Sequence, residues 1–279
     1  MKIGSRNFNW GTKTFVMGII NVTDDSFSGD GIAFNLKKVE QQAMDFKKNG
    51  ADFIDVGGES SRPASVYGEV KSISIQEEID RVIPAIRLIN QKIDIPISID
   101  SKNTPVITEA INNGATIIND VSMHKHDPNM ISLVSELNLP YILVHNIPIS
   151  DGTNILQQIK LDLIKSIDVL LKSGLDSNNI IIDPGIGFNK NTQQNLEIIN
   201  KLDQLKIDYP ILIGTSRKKH IGETLNLKTD DRIEGTAATT SIAIDRGADI
   251  IRVHDVKEII RVARMTDALV REKITNKNA

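Results

Sequence analysis

The stretch IIIDPGIGFNK, residues 180–190, decides the fold more than any other part of this chain. Three consecutive isoleucines predict a short strand that is buried on both faces. Asp183 follows them where the backbone leaves the core, and Pro184 with two glycines predicts a tight, irregular turn. Thr192 is a candidate N-cap for the helix that follows. A carboxylate held beside a glycine turn suits a binding pocket, although an aspartate that merely caps a βα turn explains this stretch equally well.

A short apolar strand followed by a helix recurs along the chain and predicts the fold class. The predicted strands are Thr14–Ile20, Asp52–Val56, Ile95–Ile99, Thr116–Ile118, Tyr141–Val144, Ile180–Ile182, Pro210–Gly214 and Asp249–Val253. The predicted helices include Asn35–Asn49, Ser74–Gln91, Thr104–Asn113, Asn129–Leu137, Asn154–Ser173, Arg232–Arg246 and Val256–Val270. This alternation indicates parallel strands, and eight units predict an α/β protein with a TIM (β/α)8 barrel. A doubly wound open sheet is the alternative, which the lack of a GxGxxG first turn disfavours.

Composition favours one domain and excludes several functions. Of 279 residues, 40% are hydrophobic and 25% are charged, which is ample for a large core. We expect a single domain over residues 1–279, with a cap segment at 1–13 that contains Trp10, the barrel at 14–272 and a tail at 273–279. A net charge of -3 gives no basic field for a nucleic acid.

The chain has no cysteine, which excludes disulfides and cysteine-ligated metal sites. No apolar segment resembles a signal peptide or reaches the length of a membrane span, so we expect a cytoplasmic protein without a membrane partner.

Polar side chains occur in or just after every predicted strand. They are Asn21, Asp55, Asp100, Asn119, His145, Asp183, Ser216 with Lys218, and Arg252 with His254. In a closed barrel of parallel strands these residues converge on one face, where barrel enzymes bind their substrates. Turn chemistry alone does not explain eight such strand ends among eight.

These residues fall into two chemical groups. The acceptors and amides, which suit a flat, nitrogen-rich heterocycle, are Asp100, Asn119 and Asp183. The cationic donors, which suit phosphate oxygens, are Arg62, Lys218, Arg252 and His254. Together they predict a phosphorylated heterocyclic substrate. The polar loops 22–31 and 57–68 are candidate lids, and ordinary surface loops are the alternative.

Single histidines and lysines also have structural explanations. His145 is equally well explained as an interior histidine with a satisfied hydrogen bond. His124, His126 and His220 are expected on the surface, and Lys219 is expected in solvent.

At these residues the chain resembles the dihydropteroate synthases. The segments that carry the resemblance are MGIINVTDDSFSGDG (17–31), DVGGESSRP (55–63), SIDSKNTPV (98–106), IIND (117–120), DPGIGFNK (183–190), GTSRKKHIG (214–222) and RVHDV (252–256). The resemblance implies a pterin-binding barrel that joins 6-hydroxymethyl-7,8-dihydropterin pyrophosphate to para-aminobenzoate. The products would be 7,8-dihydropteroate and pyrophosphate.

The resemblance also implies roles for individual residues. The pterin would contact Asp100, Asn119, Asp183, Lys218 and Arg252. The pyrophosphate would contact Asn21, Ser61, Arg62, Arg252 and His254, with Mg²⁺ on the side-chain oxygen of Asn21. The aminobenzoate would contact Ser61, Arg62, Pro63, Phe188, Ser216 and Lys218. Asp100, Asp183 and Lys218 would be catalytic, the aspartates as charge stabilisers and not as nucleophiles. The family also implies a homodimer.

Five positions depart from the family's usual residues. They are Asp24 in place of proline, Ser61 in place of threonine, Ala64 and Asn189 in place of glycine, and Asn146 in place of methionine. Two other functions are compatible with a pterin-binding barrel. One is methyl transfer from methyltetrahydrofolate to a corrinoid protein, which does not need the anion-binding residues. The other is an inactive barrel that binds pterin or a protein partner.

Overall fold

The structure is a computed structural model that describes residues 1–22, 32–59, 73–150, 152–205 and 207–271. Two short antiparallel strands, β1 (Lys2–Ile3) and β2 (Arg6–Asn7), precede the main sheet. The strands of the main sheet are β3 (Phe15–Asn21), β4 (Phe53–Gly57), β5 (Ile97–Asp100), β6 (Ile117–Asp120), β7 (Tyr141–Val144), β8 (Ile180–Asp183), β9 (Leu212–Ile213) and β10 (Ile250–Val253).

Nine α-helices lie in the described ranges. They are α1 (Ile32–Asn49), α2 (Ile75–Lys92), α3 (Thr104–Asn112), α4 (Met130–Leu137), α5 (Ile155–Ser173), α6 (Thr192–Asn200), α7 (Lys219–Leu225), α8 (Ile233–Asp245) and α9 (Val256–Val270). No helix among these is both long and apolar enough to span a bilayer.

The eight parallel strands form a nearly closed barrel, which confirms the predicted fold class. The order is β8-β7-β6-β5-β4-β3-β10-β9, and every neighbouring pair is parallel. A parallel bridge between Ile182 and Ile211 joins the two end strands, where the Ile182 amide donates to the Pro210 carbonyl at 3.0 Å. The carboxyl ends of all eight strands therefore lie at the same end of the barrel.

The pleat of the strands explains why the barrel is apolar below and polar above. Apolar side chains from several strands, such as Phe53, Ile117, Ile181 and Ile250, form one buried cluster in the interior. Side chains two residues apart on a strand point to the same face. The corresponding positions one step higher are Asp55, Asn119, Asp183 and Arg252. The same alternation that fills the core thus aims polar groups at its upper end.

The N-terminal segment closes the lower end of the barrel with aromatic rings. The Phe8 ring stacks on Phe53 with centroids 4.5 Å apart and on Trp10 at 5.9 Å. Trp10 also meets the edge of Phe15 at 5.3 Å. The prediction that Trp10 packs in a cap is confirmed, and water is kept away from the interior on this side.

Helix caps were only partly predictable. The predicted helix that starts at Ser74 is α2, and Ser74 and Glu77 form a capping box at its start. The prediction that Thr192 caps α6 was wrong, because Asn191 is the N-cap and accepts a hydrogen bond from the Gln194 amide at 2.9 Å. Asparagine is a better N-cap than threonine, and from this position Gln194 can bond back to the cap amide.

Of the three histidines expected on the surface, two are partly or fully buried. His126 and Lys219 are exposed as predicted, whereas His124 is half-buried and His220 is only 1% exposed. The sequence prediction missed the short helix α7, which carries His220 and packs against α6 and α8. Burial, together with the nearby charges of Lys218 and Arg232, lowers the pKa of His220 to about 4.

This burial predicts a specific pH dependence of stability. The pKa of His220 is about 4 in the folded protein and has its ordinary value of 6.5 in the unfolded chain, so the unfolded chain binds more protons between these pH values. The contribution of the neutral imidazole to the free energy of unfolding is fully present above pH 6.5, and it decreases as the pH falls toward 4. When the pH is lowered from 7.5 to 5, the free energy of unfolding of the wild type should therefore fall. In His220→Phe it should fall by about 2 kcal/mol less, as measured by urea denaturation at the two pH values. Equal losses in both proteins would contradict this, and His126→Phe at an exposed histidine is the matched control.

Candidate active site

A buried arginine held by two carboxylates lies at the upper end of the barrel. Arg252 on β10 donates from Nε to Asp55 at 2.6 Å and from Nη2 to Asp100 at 2.7 Å. The Asp55 side chain is completely buried, and it also accepts from Asn119 Nδ2 at 3.2 Å. A buried charge is tolerated only when it is paired and hydrogen-bonded, so these four side chains fix one another in place.

Burial strongly changes the titration of this cluster. It raises the pKa of Asp100 to about 7, with Arg252 opposing the change and Asp55 reinforcing it. Burial disfavours the charged carboxylate because the site withdraws it from water. Asp100 is therefore poised to be charged when a ligand places hydrogen-bond donors or positive charge against it.

A second pair of opposite charges lies across the site, at the end of β8. Burial raises the pKa of Asp183, with Lys218 as the main opposing influence, and lowers the pKa of Lys218 to about 8. Asp183 accepts from the Gly185 amide at 2.7 Å, and Lys218 donates from Nζ to the Ile186 carbonyl. Both charged groups are thereby oriented by the turn that follows β8.

The backbone of this turn needs glycine. Gly185 has φ 72° and Gly187 has φ 83°, in the left-handed region. A Cβ on Gly185 would overlap the His145 carbonyl oxygen. The turn places the Phe188 ring 5.0 Å from the Lys218 ammonium group, which lies over its face.

Hydroxyl, imidazole and amide groups lie near the ends of β9, β10 and β3. The Ser216 hydroxyl is 3.0 Å from Nδ1 of His254 and accepts from the His254 amide at 3.2 Å. Arg217 is paired with Asp255, with Nε donating to Oδ2 at 2.9 Å. Asn21 ends β3 and is exposed. We call these residues at the strand ends the rim. The rim offers hydrogen-bond donors and therefore suits an anionic group, whereas the buried carboxylates would repel one.

The structure places most of the predicted site residues at one end of the barrel. Those it places there are Asn21, Asp100, Asn119, Asp183, Phe188, Ser216, Lys218, Arg252 and His254. Ser61, Arg62 and Pro63 lie outside the described residues, as do Asp24, Ala64 and most of both candidate lids. Within the described ranges, no cluster of three or more His, Cys, Asp or Glu side chains could hold a metal ion.

Two site-building residues were missed as functional residues by the sequence analysis. Asp55 was recognised at a strand end but was given no role, and it is the partner that orients Arg252. A carboxylate inside an apolar strand requires a cation, which is the signal that could have revealed it. Lys190 supports the turn after β8 through backbone carbonyls, and no spacing pattern predicts such contacts.

His145 is an interior histidine, which confirms the structural explanation. It is fully buried, and its Nε2 lies 3.2 Å from the Asp162 carboxylate. Burial and, to a lesser extent, the charge of Lys190 lower its pKa to about 4. Its backbone, more than its ring, contributes to the site, because its carbonyl oxygen accepts from Lys190 at 3.1 Å.

A barrel of this kind, with paired carboxylates and cations at the carboxyl ends of its strands, is built to bind a polar ring. Residues 17–254 match the family model described as pterin binding enzyme. The chain is 46% identical over 273 residues to the dihydropteroate synthase of Clostridium beijerinckii, covering 97% of this chain and 100% of that one.

Solved structures agree. A Clostridium difficile dihydropteroate synthase, crystallised in the presence of pteroic acid, superimposes with a TM-score of 0.90 at 43% identity and covers 95% of this chain and 100% of that chain. The enzyme of Xanthomonas albilineans with 4-aminobenzoic acid has a TM-score of 0.86 at 32% identity, covering 94% and 95%. The chain therefore belongs to the pterin-binding enzymes, and within them to the dihydropteroate synthase family of transferases.

Replacing Asp55 tests whether the buried network shapes the site. Asp55→Asn keeps the size of the side chain but removes the charge that Arg252 Nε bonds to at 2.6 Å. We expect the free energy of unfolding to fall by about 2–4 kcal/mol, because one partner of a buried ion pair is lost. Pterin affinity, measured by calorimetry, should fall about tenfold as Arg252 loses its orientation.

The control for this variant is Asp94→Asn, an identical change at an ion pair with a carboxylate side chain 79% exposed. It should change the free energy of unfolding by less than about 0.5 kcal/mol. An Asp55→Asn protein as stable as the wild type, with unchanged pterin affinity, would show that the network is dispensable.

Proposed function

We propose that this chain condenses 6-hydroxymethyl-7,8-dihydropterin pyrophosphate with para-aminobenzoate to give 7,8-dihydropteroate and pyrophosphate. The observation that carries the proposal is the pairing of Asp100 and Asp183 with Arg252 and Lys218 in one buried site. The relatives support it, since pteroic acid and 4-aminobenzoic acid accompany the two solved structures described above.

The pterin would be held by the buried groups. Carboxylates of Asp100 and Asp183 would accept from ring nitrogens, and the Asn119 amide and Lys218 would bond to the remaining polar atoms. Arg252 would lie along the ring, in the position that Asp55 and Asp100 give it. A polar ring would thereby add hydrogen bonds to these desolvated groups, beyond those that they make within the free protein.

The chemistry would begin at the bond between the pterin methylene carbon and pyrophosphate. As that bond breaks, its electron pair leaves with the pyrophosphate, and positive charge develops on the pterin. Asp100 and Asp183 would stabilise this charge in a site that excludes water. The amine nitrogen then forms the new bond to carbon and loses a proton to solvent. The arylamine is already neutral at pH 7, so no strong base is required.

The departing pyrophosphate would be bound at the rim. Arg252 and His254 would provide positive charge and hydrogen-bond donors there, as would Ser61 and Arg62. The side-chain oxygen of Asn21 suits Mg²⁺, which binds through few protein oxygens when a substrate phosphate supplies the others. The lack of an acidic metal cluster in the described residues fits such a shared site. Bound Mg²⁺ would offset the charge that accumulates on the pyrophosphate oxygens.

The aminobenzoate would lie between the barrel and residues 61–63. Phe188 offers an aromatic face, and Ser216 and Lys218 offer a hydroxyl and an ammonium group for the carboxylate. Ser61, Arg62 and Pro63 would complete this part of the site. The amine would then approach the methylene carbon from the side opposite the buried carboxylates.

We also propose that the protein acts as a cytoplasmic homodimer of single-domain subunits. The lack of cysteine suits a reducing compartment. Helices α8 and α9 carry exposed apolar side chains at Ile242, Met265, Leu269 and Val270, which would be covered by a second subunit.

Release of pyrophosphate is the direct test of this function. With purified protein and Mg²⁺, pyrophosphate should appear only when the pterin pyrophosphate and para-aminobenzoate are both present, and EDTA should abolish it. Release without the amine, or none with both substrates, would contradict the proposal. Methyl transfer from methyltetrahydrofolate would instead support the methyltransferase alternative.

A further inference from the structure

Two asparagine side chains form a bridge between neighbouring loops at the upper rim of the barrel. Asn189, in the turn after β8, donates from Nδ2 to Oδ1 of Asn146 at 2.7 Å and to its carbonyl oxygen at 3.3 Å. Asn146, just after β7, donates in turn to the Val121 carbonyl oxygen at 2.7 Å. We call this pair of asparagines the amide bridge. It links the loops that follow three consecutive strands, β6, β7 and β8.

The base of the same turn is held independently by Lys190. Its ammonium group donates to Gly185 and Phe188 carbonyl oxygens at 3.0 Å each and to the His145 carbonyl oxygen at 3.1 Å. All three ammonium hydrogens thus have acceptors, two within the turn and one on the neighbouring strand. We expect these contacts of Lys190 to keep the turn folded when the amide bridge is removed, so the bridge can be tested separately.

The amide bridge is connected to two residues whose apolar side chains pack against the interior core. Val121 and Phe188 both pack against the upper end of the interior core. Val121 comes two residues after Asn119, and Phe188 comes five residues after Asp183. The bridge is bonded to the backbone of Val121 and is covalently adjacent to Phe188. It therefore ties together two residues that follow the strands carrying Asn119 and Asp183.

We propose that Asn146 and Asn189 are positioning residues whose bridge holds Phe188 as a preformed wall for the aromatic ring of the amine substrate. This inference rests on the proposed function, because the amine is the substrate that Phe188 would contact. A wall that is already ordered costs less conformational entropy when the ligand binds. The bridge acts on amine binding and leaves bond breaking at the pterin unchanged, because the charged groups around the pterin are oriented by other contacts.

The backbone at Asn189 allows a clean substitution. Its φ is 48°, in the left-handed region, where glycine is less strained than any other residue. Asn189→Gly therefore removes the amide without distorting the turn, and Asn146→Ala removes the other half of the bridge. Asn226→Gly is the matched control, because Asn226 is exposed, has φ 57° and ends α7 away from the bridge.

The experiment measures kcat and both KM values for the wild type, each single variant, the double variant and the control. Each single variant should raise KM for para-aminobenzoate about fivefold, the value of one or two hydrogen bonds. The kcat and the KM for the pterin pyrophosphate should change less than about twofold. The double variant should resemble the single variants, because one bridge is lost in each case. Asn226→Gly should match the wild type.

Any of four results would overturn the inference. An unchanged KM for the amine would show that the bridge is idle. Losses in kcat that equal the change in KM, together with a lower melting temperature, would show a purely structural role. Additive effects would show that the two asparagines act separately. Hydrogen exchange at the amides of residues 186–189 does not depend on catalysis, and it should be faster in both single variants. If the wild-type protein releases no pyrophosphate, only the proposed function is contradicted. If hydrogen exchange at residues 186–189 is the same in the variants as in the wild type, the positioning role of the amide bridge is contradicted.

Discussion

The pairing of Arg252 with Asp55 and Asp100 is the constraint on which the rest of this site depends. The guanidinium group enters the barrel from β10 and meets carboxylates from β4 and β5. Without its two carboxylate partners, the buried charge of Arg252 would strongly destabilise the folded protein. Without Arg252, the two buried carboxylates would do the same. The three strands must therefore keep their register, and the apolar layer beneath them must stay dry. The polar upper end and the close-packed lower end are consequences of a single alternating pattern.

Burial brings the charged groups of the site toward neutrality. It raises the pKa of Asp100 to about 7 and lowers that of Lys218 to about 8. The stability that Asp100 contributes is present at low pH and is lost as the pH rises through 7, the opposite sense to His220. A bound ring that offers hydrogen-bond donors, acceptors and developing positive charge would favour the charged forms of these groups again. The site is thus arranged for the charge distribution of the reaction, and this arrangement lowers the stability of the free protein.

Much of the fold was predictable because it depends on local patterns. Runs such as Ile180–Ile182 identified buried strands, and their regular alternation with helices identified the barrel. The polar strand ends identified the face of the site, since parallel strands place all their carboxyl ends together. Errors arose where a choice depended on neighbours in space. The N-cap at Asn191 instead of Thr192 and the buried position of His220 on the short helix α7 are two examples.

The contacts inside the site were less predictable than its location. Arg252 and Asp55 are 197 residues apart in the chain, and no spacing rule connects them. The hydrogen bond from Asn189 to Asn146 spans 43 residues and joins two positions that the sequence analysis treated as unrelated departures. Both contacts exist only because the closed barrel brings strand ends together. Long-range pairs of this kind require the structure.

The central claim is that burial, balanced by Arg252, prepares the carboxyl group of Asp100 before any ligand arrives. The most direct measurement is a titration of the Asp100 carboxyl carbon by NMR in ligand-free protein labelled at aspartate, with Asp100→Asn for assignment. We predict a pKa of about 7, well above the ordinary value of 3.8 for an aspartate. A pKa of 3.8 or lower would show that Asp100 is solvated or fully ionised in the free protein, and would contradict this claim.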